Sequence, residues 1–263
     1  MKVQALSTGT VSLKDAFLFA RSGPMRQLSL FLPGPFSDAR PIHVWVIEHE
    51  GARILVDTGE TASVQDIPFA HFDVSPTDEL PGALSTLGLA PGDCDTVVLT
   101  HMHGDHMDGA VHLDGARVLV NPVEIAFSKA PMSRFFQRVL HQPVPDGVRF
   151  EPFPLEDGPF GAFAASRKLS DDGRIVAVAT PGHTPGHISI ICIDDDGTHL
   201  FIAGDTTDTL EQLHSRRHDA VGVPKVTVAT IDKILAHAKE HPTVYLPSHD
   251  LDSAARLASR TTL

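Results

Sequence analysis

The chain has 263 residues, with 21 Lys and Arg against 33 Asp and Glu and a formal net charge of −12 with histidines neutral. That balance argues against general nucleic-acid binding, which needs a basic footprint, and the lack of any apolar run of about 18 residues argues against a membrane span. Two cysteines in separate segments, Cys94 and Cys192, rule out a disulfide framework and read as buried thiols.

The N-terminal stretch carries no signal-peptide core, since AFLFA is too short, so a cytoplasmic protein with no membrane partner is expected. No Gly/Ser tract, low-complexity run or charge block marks a linker. The expectation is one domain over residues 1–263.

In chain order, strand-like runs rich in Val, Ile and Thr cover VQALSTG (3–9), HVWVIEH (43–49) and ARILVDT (52–58), with Gly51 near the tip of a hairpin between the last two. A helix-like run DELPGALSTLG (78–88) precedes the strand TVVLT (96–100). Then come a helix GDHMDGAVHL (104–113), a strand ARVLVN (116–121) and a helix NPVEIAFSKA (121–130). The segment from Asp146 to Gly173, rich in Pro, Gly and Phe, offers no assignable pattern. Strands IVAVAT (175–180), ISIICID (188–194) and THLFIAGD (198–205) follow. A helix over 226–241 keeps Ile231, Ile234, Leu235 and Ala238 at helical spacing, and a strand TVYLPS (243–248) and a helix DSAARLASR (252–260) close the series. Interleaved strands and helices in both halves predict α/β layers.

The chemistry lies just past four of those strands. HMHGDH after TVVLT brings His101, His103, Asp105 and His106 into six residues. At a strand end, residues i and i+2 point the same way, so His101 and His103 can bind one ion together. Asp105 and His106 lie past the bend, where a helix starts, and can face a second. His183 in PGHTPGH, Asp205 in AGD and His249 in PSHD each follow an apolar strand, where a rigid scaffold presents its loops. The reading assigns His101, His103 and His183 to one ion, Asp105, His106 and His249 to another, and Asp205 to both. Imidazole and carboxylate donors suit zinc, and also accept cobalt, manganese or iron. With 16 histidines in the chain, single matches carry little weight, and the competing reading of HMHGDH is a solvated polar loop.

LVDTG, HMHGDH, PGHTPGH, AGD and SHD in this order resemble the metallo-β-lactamase superfamily, over most of the chain. The resemblance implies a four-layer αββα sandwich with the metals at one edge. Within the superfamily the chain is most similar to N-acyl-homoserine lactone lactonases, by its short length, its HxHxDH run, an aspartate as bridging ligand and the spacing of the last three ligands. It implies a dinuclear hydrolase, plausibly quorum-quenching, in which a hydroxide shared by two ions attacks a lactone carbonyl, with Asp105 and Asp205 at the reacting centre. It also implies that Asp57 orients a ligating histidine from behind; an Asx turn with Thr58 and Gly59 is the plainer alternative. Two divalent ions would bring the net charge to −12 + 4 = −8, still acidic.

The chain departs from that subfamily at one place. Its usual tyrosine, three residues after the bridging aspartate, is replaced by Asp208, and the single tyrosine, Tyr245, reads as core. Asp208 is either a proton shuttle to the ring oxygen, or a contact to a polar substrate group, or the N-cap of the short helix TLEQLH. Met25, Leu28, Phe31, Phe69 and Phe72 are candidates for an acyl channel by resemblance, against ordinary packing or a dimer interface. PMSRFFQRVL, with Phe135 and Phe136, is a further apolar candidate, and relatives suggest a homodimer. His187 reads as a supporting residue, Asp108 as a helix-surface acid, and His112, His141, His214, His218 and His241 as solvated. Hydrolysis of another ester, thioester or phosphoester is the nearest alternative function; a non-catalytic metal-binding domain is the alternative outside enzymes.

Overall fold

Alternation within the strands decides the layers. The computed structural model describes residues 1–20, 23 and 26–263. Its strands are β1 (Lys2–Leu13), β2 (Arg40–His49), β3 (Ala52–Val56), β4 (Ala70–Asp73), β5 (Thr96–Val98), β6 (Val118–Val120), β7 (Phe150–Pro152), β8 (Ser166–Lys168), β9 (Ile175–Ala179), β10 (Ile188–Ile193), β11 (His199–Gly204) and β12 (Thr243–Pro247). The α-helices are α1 (Asp15–Leu18), α2 (Leu80–Ser85), α3 (Gly104–Met107), α4 (Pro122–Ser128), α5 (Pro131–Val139), α6 (Leu210–Ser215), α7 (Pro224–Glu240) and α8 (Ser253–Ser259). The run expected as one helix over 104–113 is α3 followed by a 3₁₀ turn at Asp108–His112.

Two sheets form, one of seven strands in the order β4-β1-β2-β3-β5-β6-β7 and one of five in the order β12-β11-β10-β9-β8. Odd residues of β2, Trp45 and Ile47, join Val56, Val98, Ile190, Ile202, Val244 and Leu246 in the core between the sheets. Even residues Val44 and Val46 turn outward to Leu80 and Leu84 of α2. In the second sheet, Phe201 and Tyr245 turn away from that core to meet Ile231 and Ile234 of α7. Period-two strands thus feed one shared interior and two outer helical layers, the αββα sandwich. Burying each such side chain stabilises the fold by about 1.5–3 kcal/mol. The hairpin at Glu50-Gly51 has positive φ at both residues, 49° and 84°, as a two-residue turn between twisted strands requires.

Strand direction places the ligand loops together. β9 is antiparallel to β10, β10 to β11, and β11 is parallel to β12, so β9, β11 and β12 all end at one edge. β3 and β5 run parallel in the other sheet and deliver Asp57 and His101 to the same edge. Among the described residues, no helix is long and apolar enough to cross a membrane. Cys94 and Cys192 are free and buried, as expected.

Candidate metal centre

The HMHGDH run leaves β5 and enters α3 through His103, which sits in the N-cap position with an extended backbone. The structure brings all seven sequence-predicted ligands to one place. His101 Nε2 and His183 Nε2 lie 3.0 and 2.9 Å from His103 Nδ1. His249 Nε2 is 3.3 Å from Asp105 Oδ2, and His106 Nε2 is 3.9 Å from Asp105 Oδ1. Asp205 lies between the two groups, its Oδ1 3.3 Å from His106 Nε2 and its Oδ2 3.6 Å from His183 Nε2 and 3.5 Å from His249 Nε2.

These groups fit a metal. Three sets of three ligand atoms converge: His101, His103 and His183; His101, His106 and Asp205; Asp105, His106 and His249. His106 Nε2 and Asp205 Oδ1 are buried with no hydrogen-bond partner among the described residues, a cost that a cation removes. Five imidazoles and two carboxylates are the donor set of a borderline divalent ion.

Three of the five imidazoles are aimed from behind by a carboxylate or carbonyl acceptor. Asp57, at φ 61°, accepts from His106 Nδ1 at 2.9 Å and from the Thr100 backbone N–H at 2.7 Å. The carboxylate goes to His106 and Thr100 and makes no Asx-turn bond to Thr58 or Gly59; Thr58 N donates to the His106 carbonyl instead. Asp219 accepts from His183 Nδ1 at 2.7 Å, and the N–H groups of Val221 and Gly222 hold its other oxygen. The Pro41 carbonyl accepts from His249 Nδ1 at 3.0 Å. In these three Nε2 is left facing the centre, the arrangement that fixes ligand tautomers; His103 presents Nδ1 instead. Sequence reasoning missed Asp219, which lies 36 residues from His183 in a loop without a motif of its own.

Electrostatics separates the imidazoles before any ion arrives. Burial and the neighbouring His183 lower His103 to about 4. Burial also opposes charge on His183, yet the Asp219 and Asp205 carboxylates outweigh it and raise that imidazole to about 9. His187 is lowered to about 3 by burial; it accepts from the Asp205 backbone N–H at 3.0 Å and pairs with Thr180, the supporting place expected of it. Gly204 is required here: its φ is 56°, and a Cβ would sit 2.7 Å from His187 Nε2.

Asp208 is not a helix cap. α6 begins at Leu210 and is capped by Thr209, whose hydroxyl accepts from Gln212 N while Gln212 reaches back to the Thr209 N–H. The cap falls one residue later than expected because Gln212, the third helical residue, completes a capping box with Thr209. Asp208 is buried instead, at 2% exposure. Its Oδ2 accepts from Gln212 Nε2 at 3.1 Å, and its Oδ1 has no partner among the described residues. Burial, then repulsion from Asp205 and Asp219, raises its carboxyl to about 7.

An apolar cavity of about 400 Å³ opens onto this centre, with His103, Asp105, His183, Asp205, Asp208 and His249 at its floor. Phe31, Phe69 and Phe72 line its wall, and Phe17 stacks on Phe69 with ring centroids 5.6 Å apart. Leu28 is half exposed and outside the lining, where Leu30 stands instead. Met25 lies outside the described residues. From α5, Phe136 reaches the cavity while Phe135 faces solvent. Three other expectations shift. Asp108 is partly buried beside Glu60, and burial raises its carboxyl to about 7. His112 pairs with Glu79 at 2.7 Å, and His241 stacks on His199.

The model of the Metallo-beta-lactamase superfamily matches residues 37–252, and the chain belongs to that family. It is a hydrolase of the αββα type, and its curated relatives narrow the class. N-acyl homoserine lactonase AttM of Rhizobium radiobacter is 24% identical over 82% of this chain and 84% of its own length. N-acyl homoserine lactonase AiiB of Agrobacterium fabrum is 23% identical over 99% and 97%. A solved N-acyl homoserine lactone hydrolase with N-hexanoyl-L-homoserine at its catalytic metal center superposes with a TM-score of 0.76 at 18% identity, covering 100% of this chain and 96% of that one. At that identity the superposition speaks for the fold.

Proposed function

We propose that the protein is a dinuclear metal hydrolase that opens lactone rings, with N-acyl-homoserine lactones as its substrates. The carrying observation is the juxtaposition of a seven-ligand centre with an apolar cavity whose floor also holds the Asp208 carboxyl, one oxygen of which has no partner among the described residues. One ion would rest on His101, His103 and His183 and the other on Asp105, His106 and His249, with Asp205 between them; zinc suits these donors best. Two such ions, when bound, supply an acidified water and positive charge for a developing oxyanion.

The chain's own residues do the rest. Phe31, Phe69 and Phe72 hold an acyl chain and keep bulk water from the carbonyl. Asp57, Asp219 and the Pro41 carbonyl keep the imidazoles aimed through every turnover. Asp208 carries a proton on its free oxygen at the step of ring opening, and Gln212 fixes the other oxygen. It passes that proton to the leaving ring oxygen and regains one from the product side, the task of a tuned general acid.

The test is ring opening followed by a pH indicator, on protein of measured metal content, with short- and long-chain acyl-homoserine lactones, simple γ- and δ-lactones and a phosphodiester. Two ions per chain and preferred turnover of the acyl-homoserine lactones are expected. Two ions without lactone turnover would sink the substrate assignment while keeping the centre. If Asp208→Asn and Asp208→Ala both turned over as the parent does, the proton-donor role would be dropped.

A further inference from the structure

Helix α4 carries a side chain that belongs to the centre without touching it. In sequence, Glu124 looks like an ordinary acid in the first turn of NPVEIAFSKA. In the structure it is 1% exposed, beneath the two loops that present the first ligand set. Its Oε1 accepts from the backbone N–H of Met102 at 3.3 Å, and its Oε2 from the backbone N–H of Gly186 at 3.0 Å. Met102 lies between His101 and His103, and Gly186 lies three residues beyond His183.

We infer that Glu124 is a positioning residue: its carboxylate staples the HMHGDH loop to the PGHTPGH loop and so sets the spacing of His101, His103 and His183. The other ligand set has no such dependence. Asp105 and His106 ride on α3 behind Asp57, and His249 is held through Pro41. The staple is anchored independently of both loops. Asn121 caps α4 by accepting from Val123 N at 3.0 Å, and Pro122 starts the helix. The approach is also close, for a Cβ on Gly186 would lie 2.3 Å from Glu124 N, so glycine at 186 is what lets the loop reach the carboxylate.

A carboxylate accepts at both oxygens, whereas an amide accepts at one and presents N–H donors at the other. Glu124→Gln therefore keeps the volume and breaks one arm of the staple. The inference rests on the two-ion reading of the centre, and its test separates the two. Zinc is titrated into metal-stripped parent and Glu124→Gln protein against a chromophoric chelator, and amide hydrogen exchange is followed by NMR in the same metal-free samples. In the variant one of the two zinc affinities is expected to fall by about 10–100-fold, the range for groups that hold a ligand in place, while the other stays within about twofold. The Met102 or Gly186 amide should exchange faster, while the Thr100 amide, held by Asp57, should not. Equal loss at both sites, faster exchange throughout, or no change in either readout would overturn the inference. A parent that binds a single ion would overturn the two-ion reading alone; Glu124 would then stand or fall on that ion's affinity and on the two amides. Should Glu124→Gln fail to fold, Glu124→Asp, which shortens the arm by one methylene and draws its oxygens back from the two N–H groups, is read the same way.

Discussion

Strand β11 has a histidine cluster at each end, and the two behave in opposite ways. Past its C-terminal end lie Asp205 and the imidazoles of the metal centre. At its start, His199 Nδ1 pairs with His237 Nε2 at 2.9 Å and stacks on His241, with Phe160, Phe163 and Phe201 around His237. The first cluster is threaded with carboxylates, Asp57, Asp105, Asp205 and Asp219, which aim imidazole nitrogens at a common point. The second has imidazole against imidazole and phenyl rings, and burial lowers both His199 and His237 to about 4. Both are rich in histidine. What separates a site from packing is the presence of carboxylates among the rings, two of them as acids behind His106 and His183.

The largest expected break is at the shared ligand. Asp205→Asn should cut lactone turnover by on the order of 10³-fold, beyond the roughly 10–100-fold typical of a group that only orients a ligand. Turnover within a few-fold of the parent would refute the role given to Asp205. Next comes Asp219→Asn, which leaves His183 in place without its acid. Chelator competition should show metal affinity down by about 10–100-fold, whereas His237→Leu, at the other end of the strand, should leave it unchanged. An equal drop in both would erase the distinction between the clusters.

Removing the ions should cost stability as well. At an ion concentration about 100 times Kd, each site contributes about 2.7 kcal/mol, worth roughly 5–10 °C in Tm per ion for a chain of this size. A scan with and without chelator measures it, and the shift should survive in His237→Leu and shrink in Asp205→Asn.

The smallest effect distinguishes the second cluster. His199 and His237 titrate near 4 in the folded state and near 6.5 unfolded, so the unfolded chain binds more protons between those values. Their contribution to stability is complete above about pH 6.5 and is lost as the pH falls toward 4. Urea midpoints of the metal-free protein at pH 7.5 and 5 should therefore differ more for the parent than for His237→Leu. Equal differences would mean that the pair is not the sensor.

The ligands were legible because each follows its own strand in a short motif, and strand ends converge by topology. HVWVIEH is apolar on both faces, so the division of its side chains between the core and α2 appears only in the structure, and the sandwich was an expectation from the resemblance. What escaped notice depends on partners distant in sequence. Asp219 is identified by His183, and Glu124 by two backbone N–H groups, relations that no local pattern encodes. The strands β4, β7 and β8 are too short to show a period. The cap reading of Asp208 fails because the capping box is closed by Gln212, whose pairing shifts the helix start by one residue.

The centre draws its ligands from both sheets: the loop after β5 belongs to one, and the loops after β9, β11 and β12 to the other. Ions bound there would rivet two layers, otherwise held together mainly by apolar packing, along one open edge. Pulled apart mechanically with one handle on each sheet, the loaded protein should resist at that edge and tear from the opposite one. The stripped protein should part like the covers of a book, starting where the ions had been.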